Sequence, residues 1–101
     1  MPTFTVHPVV LVFGAFDPTG SDGLPADALT CAALGVHALS VLTSNMVQDS
    51  AETESVQAFP PDQIDDQARC LLEDISVQAI KVGAVSSTEG VSAIAQIAAD
   101  Y

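Results

Sequence analysis

The chain has 101 residues, 49% of them hydrophobic, which suffices for one compact core and is short for a complete α/β enzyme. Its 13 Asp and Glu stand against two cations, Arg69 and Lys81, for a formal charge of −11. Such a surface repels phosphate backbones and anionic lipid, which excludes nucleic acid and membrane as expected partners and leaves little to grip a triphosphate.

The first predicted element is the apolar run Val9–Phe13, a buried strand. It leads through the turn Asp17-Pro18-Thr19-Gly20-Ser21-Asp22-Gly23 into a helix from about Leu24 to Leu34. Pro25 suits the first helical turn, Asp27 complements the dipole, Gly35 supplies the stop, and Leu24, Ala28, Leu29, Ala32 and Ala33 form the apolar stripe. A strand, a glycine-bearing turn and a helix start make the small-molecule corner of an open α/β sheet, so this turn is the first candidate site.

A second strand runs from Ala38 to Thr43 and on to Gln48, and Ser55–Phe59 reads as a short edge strand. Pro60-Pro61 opens a helix whose Ile64, Ala68, Leu71, Leu72 and Ile75 keep one face, with Asp62, Asp65 and Asp66 crowding its N-terminal turns. Asp65 and Arg69 are spaced to pair. The third strand is Ala79–Val82; Gly83 starts another turn, and Ser86 to Glu89 offers a capping box before a helix carrying Val91, Ile94, Ala95 and Ala98. Three βα units argue for an α/β fold with a mainly parallel sheet.

Cys31 and Cys70 lie on apolar helix faces without metal-ligand spacing and read as buried structural thiols. His7 and His37 lack partners for nucleophilic catalysis, and the acidic stretches Asp49–Glu54 and Asp62–Asp66 lack calcium-loop spacing. No metal site is expected. The first residues carry no positively charged n-region, and the apolar run is too short to span a bilayer, so a cytoplasmic location is expected.

One resemblance covers nearly the whole chain without gaps. Phe13 to Asp27 resembles the signature A-G-S-D-P-S-G-G-A-G-I-Q-A-D of the hydroxymethylpyrimidine/phosphomethylpyrimidine kinases. The likeness continues through Ala32–Thr43, Val47-Gln48-Asp49, Leu72–Ile75 and Lys81–Val85. The resemblance implies residues 1–101 as the amino-terminal portion of a ribokinase-like three-layer αβα domain of thiamine biosynthesis. It also implies ATP and Mg²⁺ as the family's phosphate donor and metal, and an aminopyrimidine alcohol as its small-molecule partner. Neither ATP nor Mg²⁺ is expected to bind tightly to this portion, because the family's anion hole, nucleotide site and catalytic base belong to later segments.

Carried over residue by residue, Gln48 matches the glutamine that hydrogen-bonds the ring, and Asp27 matches an aspartate at the substrate pocket. Ala15 takes the place of a pocket glycine, Asp22 that of an alanine near the substrate, and Ala84 that of a methionine packing on the ring. Phe16 replaces a small hydroxyl residue, so the pocket is expected to be repacked around Phe16 and Ala84. Two readings stay open for Asp27, helix dipole or pocket, and Lys81 reads as a strand-end charge or an ion pair. The alternatives to a kinase portion are a small self-associating α/β module, such as a homodimer formed at an open sheet edge, and part of a pyridoxal-type kinase.

Overall fold

The computed structural model describes residues 7–101; the expectation about a leader concerns the first residues and lies outside them. The elements are β1 (Val9–Phe16), α1 (Gly23–Ala33), β2 (His37–Gln48), β3 (Thr53–Ala58), α2 (Pro61–Asp74), β4 (Ala79–Val82) and α3 (Thr88–Asp100). They form a four-stranded sheet of order β3-β2-β1-β4, in which β1 runs parallel to β2 and β4 while β3 is an antiparallel edge. The α/β class and the mainly parallel sheet are therefore as the sequence indicates.

Side-chain alternation along β1 sends successive residues to opposite faces. Leu11 and Phe13, with Leu39 and Val41 of β2, meet Ile64 and Ala68 of α2 and Ile94 and Ile97 of α3 in one buried core. Gly14 points the other way and lies under Leu24 of α1, where an added Cβ would stand 3.0 Å from the leucine Cδ2. α1 thus covers one face, and α2 with α3 covers the other.

The termini of the helices follow local chemistry. Asp22 caps α1 by accepting from the Gly23 N–H at 2.8 Å. At its far end Gly35, at φ +73°, lets Val36 N–H reach the Cys31 carbonyl (2.8 Å) and Gly35 N–H reach that of Ala32 (3.1 Å), closing a Schellman motif. In α3 the cap is Ser87, which accepts from Gly90 N–H at 3.0 Å, rather than Ser86 paired with Glu89. With Thr88 the first helical residue, Ser87 alone stands three residues before an N–H it can reach.

Three further expectations are corrected by packing. Of the α1 stripe only Leu24 is buried; Leu29 is 71% exposed and Ala28, Ala32 and Ala33 face solvent, since no other element among the described residues packs over that side. In α3 the packed face is Gly90, Ile94 and Ile97, leaving Val91, Ala95 and Ala98 outside. Cys70 is exposed and Cys31 only half-buried. Cys70 lies about 120° around the helix from Ile64, off the buried stripe. Arg69 pairs with Asp65 as expected (2.9 Å) and also with Asp100 (2.8 Å), tying α2 to the end of α3.

Candidate active-site cavity at the sheet's carboxyl edge

β1 leads into α1 on one face of the sheet, whereas its neighbour β4 leads into α3 on the other. The two connections part at the carboxyl ends of these strands, and such a parting opens a crevice in α/β sheets. A cavity of about 250 Å³ occupies that place, lined by Gly14, Ala15, Asp17, Asp22, Gly23, Asp27, Met46, Gln48, Lys81, Gly83 and Ala84. A larger hollow of about 520 Å³, between β2 and α2, is an open groove away from the strand ends. Topology and enclosure favour the smaller one as the candidate site.

Each wall has a cause in the chain. The register of β1 on β2 shifts between Gly14 and Ala15, where β2 carries one extra residue, Thr43, and the buried Ala15 lines the cavity. Gly23, at φ +69°, begins α1 directly against the Ala15 carbonyl, an approach that a Cβ would block. On the opposite wall, buried Thr43 donates to the Ala84 carbonyl at 2.7 Å, and Gly83 N–H donates to the Phe13 carbonyl at 2.7 Å. These two bonds set the β4–α3 turn against β1 and β2.

Asp17 is the polar centre. It is 2% exposed, and its Oδ1 accepts from Thr19 N–H (2.9 Å), Thr19 Oγ1 (2.8 Å) and Gln48 Nε2 (2.6 Å). Its Oδ2 accepts from Asp22 N–H at 3.1 Å. The Gln48 amide foremost, aided by these backbone and hydroxyl donors, holds the Asp17 carboxyl below the ordinary aspartate value despite desolvation. Gln48 is also engaged at its other end, where Oε1 accepts from Thr53 Oγ1 at 2.7 Å.

Lys81 reaches across from β4 to Asp27 at 2.5 Å, and that carboxylate raises the lysine's pKa. Asp27 is the fifth residue of α1 and lies beyond its first turn, so the ion pair replaces the helix-dipole reading. Asp22 takes the capping role. All three carboxylates of the cavity are thus engaged: Asp17 with donors, Asp22 with Gly23 and Asp27 with Lys81.

All five residues singled out in the sequence, Ala15, Asp22, Asp27, Gln48 and Ala84, line this one cavity. Phe16 does not; it is 45% exposed and outside the lining, because strand alternation turns it away from Ala15. Met46 lines the cavity instead and was not expected there, nor was Asp17's part as hub. Period-two spacing from Gln48 back to Met46 was the available signal for the first, and the Asp-Pro-Thr-Gly turn for the second.

The arrangement can hold a small ring that offers hydrogen-bond donors and acceptors, and its three carboxylates against one ammonium favour a neutral or cationic ligand over an anion. Among the described residues no three His, Cys, Asp or Glu side chains are grouped to hold a metal ion, and both cations are already ion-paired. Nor is any described helix long and apolar enough to cross a membrane.

Residues 17–101 match the family model described as phosphomethylpyrimidine kinase. A hydroxymethylpyrimidine/phosphomethylpyrimidine kinase of Streptomyces coelicolor is 38% identical over 92 residues, covering 91% of this chain and 34% of that protein. The chloroplastic thiamine biosynthetic bifunctional enzyme TH1 of Arabidopsis thaliana is 34% identical over 94 residues, covering 93% of this chain and 18% of its own length. Among solved structures, a phosphomethylpyrimidine kinase from Clostridium difficile superposes with a TM-score of 0.87 at 29% identity, over 95% of this chain and 41% of that one. A Bacillus subtilis pyridoxal kinase superposes with a TM-score of 0.86 at 21% identity, over 94% of this chain and 36% of that one, a likeness of fold alone. The chain thus spans about a third of the Streptomyces relative, with the ribokinase-like fold of these kinases. It belongs to the phosphomethylpyrimidine kinase family.

Proposed function

We propose that this chain is the pyrimidine-binding, amino-terminal part of a kinase that transfers the γ-phosphate of ATP to hydroxymethylpyrimidine and then to its monophosphate in thiamine biosynthesis. The observation that carries the reading is the convergence of Ala15, Asp22, Asp27, Gln48 and Ala84 on one enclosed cavity at the strand carboxyl ends. An aminopyrimidine edge needs a donor and an acceptor side by side, and the Gln48 amide offers both. The cavity's negative balance suits the neutral alcohol. ATP and Mg²⁺ belong to the rest of the kinase fold, and the whole protein works in the cytoplasm.

Titrating the chain with 4-amino-5-hydroxymethyl-2-methylpyrimidine while following amide shifts by NMR tests the reading. Saturable shifts at Ala15, Asp27 and Gln48 that vanish in Gln48→Ala are expected. A folded sample without shifts overturns it. Stronger displacement by pyridoxal than by the aminopyrimidine would reassign the cavity to a pyridoxal-type kinase. The exposed Leu29 and Leu34 on the flank of α1 favour a second reading, self-association, which a monomeric mass by light scattering would exclude.

A further inference from the structure

We infer that Asp17 locks the Gln48 amide in a single orientation, with Thr53 pairing its other end, making the cavity selective for a ring edge of one hydrogen-bonding polarity. This rests on the pyrimidine-site reading above and adds to it the means of discrimination. The edge that fits is an aza nitrogen beside an exocyclic amino group; the excluded edge is the ring N–H and C=O of the corresponding oxo compound.

The lock is built from three elements. Gln48 ends β2, Asp17 follows β1, and Thr53 begins β3. Gln48 Nε2 donates to Asp17 Oδ1 at 2.6 Å, and Gln48 Oε1 accepts from Thr53 Oγ1 at 2.7 Å. An ionised carboxylate only accepts, so only the NH₂ end of the amide can face Asp17. A half-turn of the amide would set two acceptor oxygens against each other at a 2%-exposed carboxylate, an arrangement that buried polar groups do not tolerate. Asp17 cannot turn to relieve it, because Thr19 and Asp22 hold both of its oxygens.

With these bonds made, the amide retains one N–H and one lone pair. Gln48 and Asp17 both line the cavity, and in the lock as proposed that remaining pair meets the ligand there in fixed order. An aminopyrimidine supplies acceptor and donor in the complementary order. The oxo ring reverses both and meets donor with donor and acceptor with acceptor. A site that commits its own polar groups in this way rejects the mismatched analogue far more strongly than an apolar pocket does.

The test titrates the whole chain with 4-amino-5-hydroxymethyl-2-methylpyrimidine and with its 4-oxo counterpart, by NMR, for the native protein, Asp17→Asn and Thr53→Val. The native chain is expected to prefer the amino ring by about tenfold or more. Asp17→Asn, whose carboxamide can donate or accept, should bring the two affinities to within a few-fold. Asp17→Ser, whose hydroxyl likewise donates or accepts, stands in if Asp17→Asn fails to fold, and Thr53→Val, which removes an exposed hydroxyl that tolerates either orientation, is the control expected to keep the native ratio. A native chain without preference, or a folded Asp17 variant that keeps the native ratio, overturns the lock and leaves the pyrimidine reading standing. Binding of neither ring overturns that reading and the lock with it.

Discussion

Gly23 is where backbone conformation, helix start and cavity wall meet, and replacing it with alanine separates these contributions. Gly20, Gly23 and Gly35 all have positive φ, at +75°, +69° and +73°. A Cβ at Gly20 or Gly35 would meet nothing within 4 Å, whereas at Gly23 it would strike the Ala15 carbonyl oxygen. Gly20→Ala and Gly35→Ala therefore carry only the left-handed backbone cost, about 1 kcal/mol after the smaller entropy of the unfolded alanine chain is set against it. Gly23→Ala carries that cost plus displacement of a strand from a helix, about 1–3 kcal/mol for an overpacked contact. About 3 kcal/mol in total is a large share of the roughly 5–15 kcal/mol available to a chain of this size. Urea unfolding followed by far-UV circular dichroism measures all three variants on one scale. A Gly23→Ala midpoint equal to that of Gly20→Ala would refute the close approach of β1 and α1, and with it this wall of the cavity.

Two further outcomes follow from burial and charge. Ile64, 1% exposed beneath the sheet, should cost about 2–5 kcal/mol as Ile64→Ala, whereas Leu29→Lys on the uncovered flank of α1 should shift stability by no more than about 0.5 kcal/mol in the same urea assay. Asp17's depressed pKa means that its unfolded form holds a proton more tightly than its folded form. Its stabilisation is present above the unfolded value and is lost as pH falls through the folded one, and Asp49, depressed by the Ala51 and Glu52 N–H groups, adds in the same direction. Urea midpoints between about pH 6 and pH 3 should therefore fall on acidification, and less steeply in Asp17→Asn.

The strands and helices were legible because their signals are local. Val9–Phe13 is apolar without interruption, Gly35 stops α1, and Ile64 with Ala68 marks the buried side of α2. What misled was the step from an apolar stripe to a buried one. The α1 residues Ala28, Leu29, Ala32 and Ala33 keep helical spacing, but α1 is apolar nearly all round where α2 is sharply two-sided, and burial needs a second surface whose presence spacing does not reveal. The same limit explains Cys70, an apolar-looking residue off the packed face.

At the site, family likeness drew the five lining residues together, but not the groups that hold them. Asp17 and Gln48 are 31 residues apart, and neither is unusual in its own segment: one reads as a turn former, the other as a polar strand end. Their bond exists because parallel pairing of β1 with β2 ends with Phe16 opposite Asn45, so that Asp17 leaves β1 beside the last residues of β2. Each added strand thus contributes one polar group to a common edge. β1 brings an acceptor, β2 an amide that can face either way, and β3 a hydroxyl that meets the amide's other end. An amide free to turn does not distinguish a ring from its polarity-reversed analogue; an amide held by an acceptor-only carboxylate does. In the lock proposed above, specificity resides in the order of the strands, which no single segment encodes.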